Sequence, residues 1–166
     1  PEHVEILTLT GTAAIDGTGN DPANTLDGAA NAAANTLRGG RGDDRYRVGA
    51  ADLVVEHAGE GIDTIEIAGT GTRTYGPDDL PANVEGLAFG DDLGAADYEG
   101  DLRDDRVTGN GSANRLDGGS GDDRLAGGAG NDVLVGGTGD DLLDGGAGLD
   151  EVHLSRGFGQ DQVVDS

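Results

Sequence analysis

Between residues 109 and 153 an apolar side chain returns at every ninth position, as Leu116, Leu125, Leu134, Leu143 and Val152. Each sits in the middle of a three-residue segment that alternates outward, inward, outward, the pattern of a very short strand. The six residues before each such segment are mostly Gly, Asp, Asn and small side chains, which supply the turn conformations that bulkier residues adopt with difficulty. A strand of this length has no stability alone, so the pattern predicts that successive units stack as a solenoid and bury their eighth residues against one another. Further strands of the same stack are expected at Val4 to Leu9, at Leu53-Val54-Val55, at Ile65-Glu66-Ile67 and at Val84 to Phe89. No segment carries a helical period.

The repeating unit can be written out. GNGSANRLD (109–117), GGSGDDRLA (118–126), GGAGNDVLV (127–135), GGTGDDLLD (136–144) and GGAGLDEVH (145–153) follow in unbroken register. Glycine holds the first position throughout, and the second and fourth in all but the first unit. The sixth residue is always Asp or Asn. A degenerate unit precedes them, GDLRDDRVT (100–108), and another follows after a two-residue insertion, RGFGQDQVV (156–164). The N-terminal part repeats the theme more loosely, in GNDPANTLD (19–27), ANAAANTLR (30–38), GGRGDDRYR (39–47) and a lone GxGxD core at 59–63. PEHVEILTL at the start also resembles PANVEGLAF, 80 residues later. The expected organisation is a degenerate array over 1–67, a turn-rich connector over 68–80, and a main array over 81–166 whose strong repeats span 100–164.

Composition sharpens this picture. The 166 residues include 33 Gly, 33 acidic and only 10 basic residues, a formal charge of −23, with no Cys, Met or Trp. Such a chain repels nucleic acid. Without cysteine it has no disulfide framework, thiolate metal site or cysteine nucleophile. No run of residues is apolar enough for a membrane span, and an opening Pro1 reads as a processed or excised fragment. Ordering one backbone residue costs about 1–2 kcal/mol, and a buried Leu or Val returns only about 1.5–3 kcal/mol. With so much glycine and so few large side chains, burial alone does not close the gap, and the acidic residues point to a cation.

GGxGxD gathers backbone carbonyls and one carboxylate in each turn, the donor set of a hard divalent ion with six to eight oxygen ligands. If two units complete one coil, unit n lies beside unit n+2, and an ion between their loops takes the sixth residue of both. One edge then carries Asp105, Asp123 and Asp141, and the other Asn114, Asp132 and Asp150. Asp105/Asp123, Asp123/Asp141 and Asp132/Asp150 offer two carboxylates each. Asn114/Asp132 offers one, and Asp141/Asp161 must span the insertion. The carbonyl donors belong to the glycine turns, at Gly119, Gly121, Gly128, Gly130, Gly137, Gly139, Gly146 and Gly148. In the N-terminal array Asn24, Asn35 and Asp44 take the sixth position and Asp63 stands in the lone core, so one or two poor sites, or none, are expected there, with the asparagines bonding the turns directly instead.

The units resemble the RTX (repeats-in-toxin) calcium-binding nonapeptide GGxGxDxUx. The resemblance implies an all-β, right-handed parallel β-roll with calcium as structural ligand, in a bacterial protein exported by a type I system and folding outside the cell; about 4–7 ions are expected. It implies a structural, secretion-linked module of a larger protein. The alternative is an adhesin, matrix or surface-layer module that itself contacts a protein or cell-surface partner. No enzyme constellation stands outside the repeats: His3, His57 and His153 are dispersed, and the Asp pairs (Asp43-Asp44, Asp78-Asp79, Asp122-Asp123, Asp140-Asp141) read as a ligand plus a solvated neighbour. Arg106, Arg115 and Arg124 share an outward position, where they offset acid charge, and Val133, Val135 and Leu142 are outward candidates for a small apolar patch. Val163 and Val164 are candidates for a cap on the stack.

Overall fold

The computed structural model describes residues 4–71, 74–155 and 159–166. His3 and the opening Arg156–Phe158 of the last degenerate unit therefore lie outside the described residues. The chain divides into two units, Pro1–Gly69 with Leu80–Leu87 and Thr70–Asp79 with Ala88–Ser166.

In the first unit the strands are β1 (Ile6–Thr8), β2 (Gly17–Thr18), β3 (Thr25–Asp27), β4 (Thr36–Arg38), β5 (Arg45–Val48), β6 (Leu53–Val54) and β7 (Thr64–Ile67). Alternate strands fall on opposite faces, in the orders β1-β3-β5-β7 and β2-β4-β6. Beyond them come β8 (Thr74–Tyr75), β9 (Gly86–Phe89), β10 (Asp97–Glu99), β11 (Arg106–Thr108), β12 (Arg115–Ser120), β13 (Arg124–Ala126), β14 (Val133–Thr138), β15 (Leu142–Asp144), β16 (Glu151–His153) and β17 (Gln162–Val164). The second unit again has two faces, β11-β13-β15-β17 and β8-β10-β12-β14-β16. Pairing on every one of these faces is parallel. Among the described residues there is no α-helix, only a 3-10 turn at Pro77–Asp79, and no helix long and apolar enough to cross a membrane. The architecture is an all-β parallel solenoid, as expected.

The step between paired residues explains why a nine-residue unit makes this shape. Arg106 pairs with Arg124 and Arg124 with Leu142, a step of 18 residues, which is two units per coil. In the first unit the step varies between 17 and 22 residues, matching its looser sequence. The eighth-position side chains fill the interior. Leu116, Leu134 and Leu143 are 0 % exposed and Leu125 1 %, and Tyr46, Leu26 and Leu37 take the same place in the first unit at 0 %. Val152 is only half-buried.

Neighbouring positions face outward. Arg106, Arg115 and Arg124 are exposed, with Arg115 paired to Asp117 at 2.9 Å. The three apolar outward residues do not form one patch. Val133 and Val135 lie on β14, between Arg115 and Asp117 on one side and Glu151 and His153 on the other, whereas Leu142 lies on the opposite face between Arg124 and Gln162.

Candidate metal centres

The sixth residues of stacked units meet in ladders, and each ladder is held in the same way. The backbone N–H of one sixth residue donates to the carboxylate of the sixth residue one coil later: Asp105 to Asp123 Oδ1 (2.8 Å), Asp123 to Asp141 Oδ1 (3.0 Å) and Asp141 to Asp161 Oδ1 (3.3 Å) on one edge. On the other edge Asn114 donates to Asp132 Oδ1 (2.8 Å) and Asp132 to Asp150 Oδ1 (2.9 Å). The insertion is absorbed by a step of 20 residues between Asp141 and Asp161. In the first unit the ladder runs from Asn24 to Asp44 Oδ1 (2.7 Å), from Asp44 to Asp63 Oδ1 (2.8 Å) and from Asp63 to Glu85 Oε2 (2.8 Å).

These bonds use one oxygen of each carboxylate. The second oxygen, Oδ2, is buried without a hydrogen-bond partner in Asp44, Asp105, Asp123, Asp132 and Asp141. Leaving such an atom unpaired costs about 1–3 kcal/mol, and more when it is charged. Burial accordingly pushes the Asp123 carboxyl from 3.8 up to about 7; the Asp105 N–H opposes that rise, and the Asp105 and Asp141 charges add to it. Asp44 is raised by burial to about 6, and burial also raises Asp63, Asp105, Asp132 and Asp141. A row of inward oxygens that the protein leaves unsatisfied suits a cation, and all the donors are hard oxygens of the kind calcium takes.

The first-position glycines make room for these oxygens. A Cβ on Gly145 would lie 2.7 Å from Asp150 Oδ2, and one on Gly118 would overlap Asp123 Oδ2 and lie 2.7 Å from the Gly136 carbonyl. Each such glycine thus borders its own unit's carboxylate, and the Gly136, Gly145 and Gly118 carbonyls one coil on lie against Gly118, Gly127 and Gly100. That the first position leaves room for the carboxylate is not evident from the motif's donor pattern, although glycine at the first place of every unit from 109 to 153 is its signal. The second and fourth glycines, Gly119, Gly121, Gly128, Gly130, Gly137, Gly139, Gly146 and Gly148, all have positive φ, from 80° to 149°, and the carbonyls of Gly119, Gly121, Gly128, Gly130 and Gly139 stack against the matching glycine of the next coil.

Asparagine at the sixth position behaves differently. In Asn114 and Asn24 it is Oδ1 that lies against the first glycine of the unit, Gly109 and Gly19, where aspartate has Oδ2, and the amide nitrogen donates to the coil before. In Asn35 Oδ1 instead accepts the Ile15 N–H of the coil before (3.0 Å) and the amide nitrogen stays within the turn. Asn114 Nδ2 donates to the Ala96 carbonyl (2.8 Å), Asn24 Nδ2 to the Val4 carbonyl (3.2 Å) and Asn35 Nδ2 to the Ala33 carbonyl (2.9 Å). The inward oxygen is used as well: Asn114 Oδ1 accepts the Asn110 N–H of its own turn (2.9 Å) and Asn24 Oδ1 that of Asn20 (2.6 Å).

The fifth-position carboxylates are exposed but not idle. Asp122 Oδ1 accepts the N–H of Asp140 (2.8 Å), Asp104 Oδ1 that of Asp122 (2.9 Å) and Asp140 Oδ1 that of Gln160 (2.7 Å). They bond in the sense opposite to the sixth-position ladder, so each coil is clasped from both directions. Of the histidines, His57 is exposed and His153 contacts Glu151 at 2.8 Å on the surface.

Comparison with known proteins adds one finding. The family model for the RTX calcium-binding nonapeptide repeat, in four copies, matches residues 16–52, 99–134 and 127–161. Together the matches cover more than half of the chain. Neither the curated proteins nor the solved structures give a significant match.

Proposed function

The chain belongs to the family of RTX calcium-binding nonapeptide repeats, and from that premise we propose that its carboxylate ladders take up calcium outside the cell and thereby fold a structural module of a larger exported bacterial protein. The observation that carries this reading is the set of inward Oδ2 atoms of Asp44, Asp105, Asp123, Asp132 and Asp141, buried and unpaired.

Bound calcium supplies the positive charge that these oxygens lack. Everything else is arranged by the chain. Oδ1 of Asp44, Asp123, Asp132 and Asp141 is tied to the backbone of the preceding coil, so that in the folded chain Oδ2 is the oxygen left for the ion. The pairs best placed to hold an ion are Asp105/Asp123, Asp123/Asp141 and Asp132/Asp150, with Asp141/Asp161 next. Asn114 closes its own turn and contributes least. The carbonyls of Gly119, Gly121, Gly128, Gly130, Gly137, Gly139, Gly146 and Gly148 complete the proposed donor set, and Asp44 with Asp63 extends it to the first unit.

Low calcium inside a bacterium and high calcium outside it would keep the chain unfolded for export and folded afterwards. Ions that bind only the folded chain stabilise it by RT ln(1 + [L]/Kd) each, so several modest sites sum to a large effect. Calorimetric titration of the full chain with calcium chloride tests the reading: uptake of several ions, about 4–7, with a large heat of coupled folding is expected, and the absence of uptake at millimolar calcium overturns it.

A further inference from the structure

In the first unit the repeat pattern is broken at one instructive place. β4 and β6 pair Leu37 with Val54, and carrying that register two residues on sets Glu56 opposite Gly39. A first-position glycine, the residue that elsewhere makes room for the carboxylate, is here replaced by glutamate. Its side chain goes inward. Glu56 is 6 % exposed, and beside it lie Asp44 at 2 % and Asp63 at 1 %. A carboxylate oxygen from each of the three falls within 4.8 Å of the others.

One oxygen of each group is already committed. Asp44 Oδ1 accepts the N–H of Asn24, and Asp63 Oδ1 that of Asp44. Glu56 Oε1 accepts the Tyr46 hydroxyl and the Gly39 N–H (3.2 Å). Glu56 Oε2 and Asp44 Oδ2 are left buried without a partner. The strongest charged neighbours of all three are other carboxylates, so no cationic side chain among them offsets the cluster. Three buried acids with two free inward oxygens are an unfavourable arrangement unless they are protonated or share a cation.

We propose that Glu56, Asp44 and Asp63 form a three-carboxylate site for a hard divalent cation, a site outside the two-aspartate pattern of the repeats, with Tyr46 as the residue that positions Glu56. The inference rests on the calcium-binding reading above and adds to it a glutamate that no nonapeptide supplies. Tyr46 fixes the glutamate through its hydroxyl and sits close enough to transfer excitation to a luminescent ion.

The test uses the full chain, Glu56→Gln and Tyr46→Phe, with calcium followed by calorimetry and terbium by tyrosine-excited luminescence. Glutamine keeps the size of the side chain and an acceptor for Gly39. Glu56→Gln is expected to remove one calcium ion from the stoichiometry and to leave the others unchanged. The same share of terbium emission should disappear in Tyr46→Phe, in Glu56→Gln and in the double variant. Unchanged calcium uptake in Glu56→Gln overturns the proposal. If Glu56→Gln does not fold, Tyr46→Phe alone decides: emission equal to that of the parent chain overturns it. A parent chain that binds no calcium at all is a different result, and it overturns the family reading along with the site.

Discussion

Replacing Asp123 by alanine is expected to damage two calcium sites at once, whereas replacing Asp150 damages one. Asp123 stands in the middle of its ladder. Its Oδ1 holds the Asp105 N–H at 2.8 Å, its own N–H is held by Asp141 at 3.0 Å, and its Oδ2 is one of the unpaired inward oxygens. It therefore faces a carboxylate on either side. Asp150 is half-buried, and among the described residues it is tied on its ladder to Asp132 alone, at 2.9 Å. Beyond the lost ligands, Asp123→Ala leaves the Asp105 N–H buried without an acceptor, worth about 1–3 kcal/mol by itself. Calorimetric stoichiometry and urea unfolding in saturating calcium read the two effects separately. Equal losses in the two variants would count against carboxylates shared between successive coils.

The second large effect is a dependence on pH whose sign differs between the two states of the chain. In the ion-free fold the Asp44 and Asp123 carboxyls are raised, to about 6 and about 7. A group whose pKa is raised by folding favours the fold below its unfolded value of 3.8, and loses that contribution as pH rises through the folded value. Acid therefore favours compaction of the ion-free chain. Calcium needs the ionised carboxylates, so the calcium-linked part of the stability runs the other way and grows as pH rises through 6 to 7. Above about pH 5 these two effects nearly cancel for a chain that starts unfolded, because its carboxyls titrate near 3.8 and are already ionised; as pH falls below about 5 the calcium concentration at half-folding should climb, approaching about tenfold per unit for each proton that must be displaced. Circular dichroism titrations at stepped pH measure it, and a midpoint that does not move as pH falls below about 5 contradicts the assignment of these carboxylates to the ion.

Most of the second unit is legible in its sequence, because the unit of nine residues encodes turn, ligand position and core position together. Leu116, Leu125, Leu134 and Leu143 are buried as their spacing requires, and the 18-residue step follows from two units per coil. Legibility fails where the signature is absent. β2, β8 and β10 come from segments without the GGxGxD signature, yet each adds a strand, and Tyr75 (6 % exposed) and Tyr98 (1 %) go into the core. Tyr75 packs on Phe89 with ring centroids 5.3 Å apart, a contact between segments that share no motif. Glu85 ends the first unit's ladder in a place that nonapeptide counting does not reach, although its segment is the one that resembles the start of the chain. Glu56 is hidden for a similar reason, since only the register of β4 against β6 shows that it takes the place of a glycine. The fifth-position aspartates were legible as exposed but not as hydrogen-bond acceptors, because a clasp between coils is a property of the stack and not of the single unit.

On the proposed reading this chain folds because its carboxylates are given a cation. With 33 acidic against 10 basic residues, and with buried oxygens left unpaired in the ladders of both units, the ion-free chain is opposed by its own charge. The most direct measurement is far-ultraviolet circular dichroism of the full chain at neutral pH, first in excess chelator and then with calcium restored to millimolar concentration. The prediction is a coil spectrum in chelator and a reversible gain of strand signal on adding calcium. Strand signal retained in full in excess chelator would contradict it.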